Sequence, residues 1–74
     1  GGITKTLIGK SQEPVPEIGK SIYTEKYSDG SEFYCLMDKY GNFNVEDTGR
    51  TYEEIIVRVN LWKDLARRHV IAVK

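Results

Sequence analysis

The stretch YEEIIVRVNLWKDLARR, residues 52–68, decides the fold, because its apolar residues recur at helical spacing over several turns. Thr51 is a favourable N-cap residue, and Glu54 stands three positions later, which is the pattern of a capping box. Arg67 and Arg68 close the stretch, where positive charge suits the negative end of the helix dipole. We therefore predict one long helix over 52–68.

One side of this helix carries an apolar stripe wide enough to pack on a sheet. With a step of about 100° per residue, six mostly apolar side chains fall on that side. We expect Trp62, the largest of them, to be buried against the sheet. The six are Tyr52, Ile55, Ile56, Val59, Trp62 and Ala66.

The helix also carries more apolar residues than one face needs. Val57 and Leu61 fall on the far side, Leu65 lies at its edge, and Arg58 and Arg68 are nearby. Clustered apolar side chains on a surface are typical of an interface, so we expect another protein or a second copy of the chain to bind here. The alternative is that the N-terminal segment or a last strand of the same chain covers this side.

Residues 20–47 are rich in residues that favour strands and are divided by turn signals. Asp29-Gly30 predicts a two-residue hairpin turn of type I′, and Gly41-Asn42 predicts a second tight turn. We expect an antiparallel meander. Its strands are predicted at roughly 20–28, 32–40 and 43–47.

A two-residue turn at Asp29-Gly30 places Tyr27 opposite Glu32 and sorts the side chains by alternation. One face then carries Ile22, Thr24, Lys26, Phe33, Cys35 and Met37. The other carries Tyr23, Glu25, Tyr27, Tyr34, Leu36, Tyr40, Phe43 and Val45. We favour this tyrosine-rich face as the core, because it would bury more apolar area.

The two ends of the chain are less regular. Residues 3–8 predict a short strand, and residues 9–19, which contain two prolines, predict an irregular connector. Residues 69–74 favour a short final strand, with a continuing helix as the alternative. The predicted fold is one α+β domain over 1–74, in which an antiparallel meander of three to five strands packs against one long helix.

Composition narrows the classes of function. A chain of 74 residues has a thin core. Its 11 Lys plus Arg balance 11 Asp plus Glu, so it lacks the excess of positive charge that is typical of a nucleic-acid-binding protein. No apolar run reaches the length of about 18–20 residues that crosses a membrane. Cys35 is the one cysteine, which favours a reducing compartment, so we expect a cytoplasmic protein without cofactor or metal.

No set of residues predicts an enzyme. GKS occurs at 9–11 and 19–21, but the earlier glycine that a phosphate-binding loop needs is replaced by Thr4 and Pro14. Cys35 and His69 are a candidate nucleophile and base, yet a mid-strand cysteine is usually an inert core group. Glu46 and Asp47 beside a turn are most simply solvated.

We therefore expect a non-enzymatic protein-binding module, with Val57, Leu61, Leu65, Arg58 and Arg68 at the partner surface. By analogy of size it would be an inhibitor or adaptor, like the small regulators that phages make against host enzymes. The alternative is a single-stranded nucleic-acid-binding domain, in which sheet aromatics stack on bases and cations hold phosphates. That site would consist of Tyr23, Tyr27, Tyr34, Phe43, Lys63 and Arg67.

Overall fold

The structure, a computed structural model, describes residues 4–73, with side chains described as far as Arg68. Four antiparallel strands form one sheet in the order β1-β2-β3-β4, and a single helix packs on one face. The predicted α+β class is confirmed. The elements are β1 (Leu7–Val15), a 3-10 turn (Pro16–Ile18), β2 (Lys20–Tyr27), β3 (Glu32–Asp38), a second 3-10 turn (Val45–Asp47), β4 (Thr48–Gly49) and α1 (Tyr52–Val73).

The N-terminal strand lies later in the chain than predicted. Strand β1 runs through the segment 9–15 that we expected to be an irregular connector. Pro14 is accommodated opposite Ser21 because β1 is an edge strand, where a missing N–H removes no pairing on the outer side. The predicted boundary between a strand at 3–8 and a connector at 9–19 is therefore wrong, because proline excludes a central strand but not an edge strand. Ile3, the first residue of that predicted strand, lies outside the described residues.

The third predicted strand, 43–47, is also wrong. After β3 the chain turns tightly: the Gly41 N–H donates to the Asp38 carbonyl at 3.1 Å, and the Asp38 N–H donates to the Asn42 carbonyl at 2.9 Å. A 3-10 turn then occupies Val45–Asp47, and only the two residues of β4 pair with β3. The segment leaves the sheet because the side chain of Asp47 is buried against α1.

The β2–β3 hairpin has a three-residue loop instead of the predicted two-residue one. The Tyr27 N–H donates to the Ser31 carbonyl, and the Gly30 N–H donates to the Tyr27 carbonyl, both at 3.0 Å. Gly30 has φ of 88°, whereas Asp29 does not take the positive φ that a type I′ turn requires. Lys26 therefore pairs with Glu32, one residue away from the predicted register, and the two strands face each other differently.

This shift of one residue mixes the two predicted faces. Tyr34 and Leu36 of β3 lie in the core, as expected, but their neighbours on β2 are Thr24 and Ile22 instead of the tyrosines. The prediction that the whole tyrosine-rich face forms the core is therefore wrong. Tyr40, Phe43 and Val45 of that face are exposed. The buried apolar cluster consists of Val15, Ile22, Tyr34, Leu36, Ile55 and Val59.

Helix α1 begins where the capping box predicts. The Glu54 N–H donates to Thr51 Oγ1 at 3.2 Å, and the same hydroxyl lies 3.3 Å from the Glu54 carboxylate. The helix continues to Val73, so the preferred final strand over 69–74 is wrong as far as Val73, and the alternative of a continuing helix holds. No Gly or Pro interrupts this segment. Lys74 lies outside the described residues.

The helix contacts the sheet through its first three turns. Ile55 and Val59 are buried, while Ile56 and Trp62 pack against the core at its margin. Trp62 is thus half-buried, which is less than predicted. Tyr52 is also more open than predicted, and its ring packs edge-to-face on Tyr34 with the centroids 6.1 Å apart.

Candidate protein interface on the helix

Three apolar side chains of α1, Val57, Leu61 and Leu65, lie open to solvent, and we call them the helix stripe. They are 59%, 47% and 53% exposed, respectively. They follow one another at steps of four residues, so each helical turn presents one of them on the same side. Strand β1, the alternative cover for this side, pairs instead with β2. The helix stripe is therefore a continuous apolar surface.

The core determines the direction in which the helix stripe points. Ile55 is fully buried and Val59 is 3% exposed, because both lie against the sheet. Leu61 points about 120–160° away from these two side chains at the helical step of 100°. A rotation of α1 that buried Leu61 would expose Ile55. The fold therefore cannot cover both sides of this helix with the same sheet.

Charged residues lie at both ends of the helix stripe. Glu54 is exposed one turn before Val57, and Arg68 is exposed beyond Leu65. Arg68 Nη2 lies 2.8 Å from Asp64 Oδ2, and the two side chains are 72% and 50% exposed. An ion pair this open to water contributes little to stability, because solvent screens it. The Arg68 guanidinium therefore remains on the surface beside the helix stripe.

Arg58, the other arginine predicted beside the helix stripe, is turned to a different partner. Its Nε donates to Asp47 Oδ1 at 3.0 Å, and its side chain is only 31% exposed. Arg58 therefore does not stand free as part of a polar rim. It acts mainly as a link between α1 and the 3-10 turn that precedes it.

Asp47 is the residue that sequence reasoning placed least well. It was expected to be solvated, but it is fully buried, and its Oδ2 accepts a hydrogen bond from Trp62 Nε1 at 3.1 Å. Two donors, from Arg58 and Trp62, thus satisfy one carboxylate. The available signal was that these donors stand four residues apart, on one side of the helix, with an acidic residue shortly before the helix begins.

A second surface is the side of the sheet that faces away from α1, which we call the open sheet face. Its β2 and β3 members are half-buried, except for Cys35, which is fully buried beneath its neighbours. Sequence reasoning missed this set because it used the two-residue turn. The residues are Tyr23, Glu25, Tyr27, Phe33, Cys35 and Met37.

Glu25 occupies the centre of the open sheet face between two tyrosines. The Tyr27 hydroxyl donates to Glu25 Oε1 at 2.6 Å, and the Tyr23 hydroxyl donates to Oε2 at 2.8 Å. These hydrogen bonds, Tyr27 first and Tyr23 second, hold the pKa of Glu25 below its usual value. The same bonds raise the pKa of each tyrosine. The centre of this face therefore carries a negative charge at neutral pH.

The residues of the predicted nucleic-acid site do not come together. Tyr23 and Tyr27 lie on the open sheet face, and Phe43 lies beside it, with its ring 6.0 Å from that of Phe33. Tyr34, in contrast, is buried beneath α1. The two predicted cations, Lys63 and Arg67, belong to α1 on the opposite side of the sheet, and Lys63 Nζ lies 3.6 Å from Glu17 Oε1. These two cations therefore lie on the opposite side of the sheet from Tyr23, Tyr27 and Phe43.

A shallow depression of about 330 Å³ lies where the open sheet face meets the β2–β3 hairpin. Lys5 Nζ stands 4.5 Å from the centroid of the Tyr27 ring on its wall. Arg50 and Glu32 also line it, so its charges are mixed. The Ser31 hydroxyl, also in the lining, donates to Asp29 Oδ1 at 2.6 Å within the hairpin loop.

The candidate nucleophile Cys35 is buried within the sheet. Burial raises the pKa of the Cys35 thiol, which keeps it protonated and unreactive. The His69 side chain lies outside the described part. Within that part, no three His, Cys, Asp or Glu side chains are placed to share a metal ion. Over the same residues, α1 lacks the long apolar stretch needed to cross a membrane.

Comparison with known proteins yields no relative on which to base a function. No protein-family model matches the chain, and neither a curated protein nor a solved structure matches it. Function is therefore inferred from the geometry of the helix stripe and of the open sheet face.

Proposed function

We propose that this chain is a small non-enzymatic protein-binding module, of the adaptor or inhibitor kind, whose binding surface is the helix stripe. The observation that carries the proposal is the exposure of Val57, Leu61 and Leu65 on successive turns of one helix. Apolar side chains scattered singly over a surface need no explanation, but contiguous ones mark sites of association. A helix that presents such residues at regular spacing is a common way to fill a groove on a protein.

The energetic gain from covering the helix stripe is substantial for a small domain. Complete burial of an exposed Val or Leu side chain contributes roughly 1.5–3 kcal/mol. All three side chains are already about half exposed, so a partner would recover part of that value for each. The net stability of a whole domain is only about 5–15 kcal/mol. A partner at this surface would therefore change the stability of the chain measurably.

The shape of the chain supports the same proposal. Its radius of gyration is 14.7 Å, and its principal extents are 58, 20 and 17 Å. A compact chain of this length would have a radius of gyration of about 11 Å. The difference arises because α1, at 22 residues, is about 33 Å long and contacts the sheet only through its first turns. Much of the helix is thus left for a partner.

Nucleic-acid binding is less well supported. The carboxylate of Glu25 stands at the centre of the face that would have to stack bases, where it would repel phosphates. The cations at the C-terminal half of α1 lie on the other side of the sheet from those aromatic rings. A strand of nucleic acid could not contact both sets without passing around the edge of the domain.

The proposal is tested by photo-crosslinking from the surface of the helix. Benzoylphenylalanine is placed at Leu61 in the helix stripe and, as the matched control, at Asn60, which is exposed on another side of the same turn. Each version is irradiated in an extract of the source cells. We expect discrete protein adducts, with this chain or with another protein, from position 61 and not from position 60. Adducts equal at both positions, or none at 61, would contradict the proposal.

A further inference from the structure

We infer that the partner of the helix stripe is a second copy of this chain, bound so that the two α1 helices run antiparallel around a two-fold axis at Leu61. This inference rests on the proposed function, because it names the occupant of the same surface. It follows from how the sequence of the exposed side is arranged about Leu61. A two-fold interface requires a surface that is complementary to itself.

The apolar residues meet this requirement. Val57 precedes Leu61 by four residues, and Leu65 follows it by four. An antiparallel two-fold arrangement therefore places Val57 of one copy against Leu65 of the other, on both sides of a central contact between the two Leu61 side chains. All three are exposed in the single chain, so nothing in it must move to form this contact.

The charged residues meet it as well. Glu54 precedes Leu61 by seven residues, and Arg68 follows it by seven. Seven residues are two turns of a helix, so both side chains point nearly the same way as Leu61, about 10.5 Å along the axis in opposite directions. The two-fold axis then places Glu54 of one copy beside Arg68 of the other, twice per dimer.

A second pair of charges obeys the same symmetry. Arg58 and Asp64 stand three residues before and after Leu61. Asp64 is 50% exposed, whereas Arg58 is largely engaged by the buried Asp47, so this pair adds less than the outer one. The present contact of Arg68 with Asp64 is exposed and weak, and Arg68 can exchange it for Glu54 of the other copy.

The charges also select the direction of the helices. A parallel arrangement would place Glu54 against Glu54 and Arg68 against Arg68, which brings like charges together at both ends of the contact. The antiparallel arrangement converts all four of these positions into opposite-charge neighbours. Juxtaposed like charges disfavour one arrangement while opposite charges favour the other, which is how charged residues specify pairing.

Sedimentation equilibrium of the purified full chain, at concentrations up to about 1 mM and low ionic strength, tests the inference. We expect reversible dimerisation. Glu54→Arg and Arg68→Glu should each weaken it by roughly tenfold or more, because each change converts two attractive contacts into repulsive ones. The controls are Glu13→Arg on β1 and Arg67→Glu on α1, which make the same charge changes at exposed positions away from the helix stripe.

The decisive result is rescue. An equimolar mixture of Glu54→Arg and Arg68→Glu, and also the double variant that carries both changes, should dimerise like the parent, since each restores both opposite-charge contacts. High salt should reduce the differences among the variants. A parent chain that stays monomeric would overturn the second copy as the partner, while adducts with a different protein from position 61 would leave the proposed function standing. If the parent dimerises but the single charge variants dimerise equally well, or the mixture and the double variant restore nothing, the antiparallel register would be overturned.

Discussion

The indole nitrogen of Trp62 lies 3.1 Å from a carboxylate oxygen of Asp47, and that carboxylate is fully buried. The second oxygen accepts from Arg58 at 3.0 Å, one helical turn earlier. These two hydrogen bonds tie the 3-10 turn before β4 to one side of α1. The rotation of the helix about its axis is thereby fixed, and with it the outward direction of the helix stripe.

Asp47→Ala should therefore destabilise the fold. It removes two charge-assisted hydrogen bonds and leaves the indole N–H and Arg58 without their acceptor. Because Arg58 is partly exposed and can be resolvated, we expect a loss of roughly 2–3 kcal/mol in the free energy of unfolding. Urea unfolding followed by circular dichroism measures it. Glu46→Ala, at the exposed neighbouring carboxylate, should change the free energy by no more than about 0.5 kcal/mol. Equal effects of the two changes would contradict a structural role of Asp47.

Because α1 covers one face of β3, two adjacent aromatic residues of that strand should differ in their effect on stability. Tyr34 is 7% exposed and packs beneath α1, so Tyr34→Ala should cost about 3–5 kcal/mol. Phe33 is half-buried on the open sheet face, where it packs against Phe43, so Phe33→Ala should cost about half as much. Thermal melts of the two variants, side by side, check this. A larger loss for Phe33→Ala would mean that the other face of β3 forms the core.

Gly49 is predicted to tolerate no side chain because α1 crosses it closely. A Cβ at this position would stand 2.8 Å from Glu54 Cβ and 3.5 Å from the Ile55 backbone nitrogen. Gly49→Ala should push β4 away from the helix and cost about 1–3 kcal/mol, as overpacking does. Gly9→Ala is the matched control in the same sheet, because no atom lies within 4 Å of the added carbon. Equal denaturation midpoints for the two alanine variants would show that β4 is not pressed against α1.

Glu25 is predicted to make the fold sensitive to acid. Its pKa is lowered in the folded chain from 4.5, by the hydrogen bonds from Tyr27 and Tyr23. Because the pKa is lower in the folded chain, ionised Glu25 stabilises the fold fully when the pH is above its pKa in the unfolded chain. This stabilisation is lost as the pH falls through the pKa of the folded chain. The parent should therefore have a higher free energy of unfolding than Glu25→Gln at neutral pH, and this difference should shrink as the pH falls below 4.5. Urea unfolding of both proteins over a pH series measures the difference.

The exposed Glu13 of β1 supplies the control for this pH dependence. If the Glu25→Gln and Glu13→Gln curves ran parallel to each other from neutral pH into acid, the two tyrosine hydrogen bonds would not be formed in solution.

Elements with local signals could be predicted from the sequence, and those that depend on distant contacts could not. The start of α1 follows from the Thr51 capping box, and its two-sided character follows from the helical period. The register of the sheet depends on whether two or three residues form the loop at Asp29-Gly30. The same sequence is compatible with both loop lengths. That one ambiguity assigned Tyr23 and Tyr27 to the wrong side of the sheet relative to Tyr34.

The candidate site divides in the same way. Val57, Leu61 and Leu65 could be identified because their outward direction depends only on the helical step and on the buried residues of the same helix. The role of Arg58 could not, because it depends on Asp47, which lies eleven residues earlier and is buried only once the sheet and helix meet. The nucleic-acid alternative required Tyr34 to share a surface with Tyr23 and Tyr27, and the register of the β2–β3 hairpin separates them.

The free energy of unfolding of the Val57→Glu, Leu61→Glu double variant tests the central claim most directly. If the helix stripe is exposed in the single chain and binds a partner, the variant should fold. Its free energy of unfolding should then lie within about 1 kcal/mol of the parent value. Urea unfolding at a low micromolar chain concentration keeps dimerisation out of the comparison, and Asn60→Glu on the same helix controls for the added charge. A loss of several kcal/mol, or a chain that does not fold, would contradict the claim, because it would mean that the chain's own residues bury Val57 and Leu61.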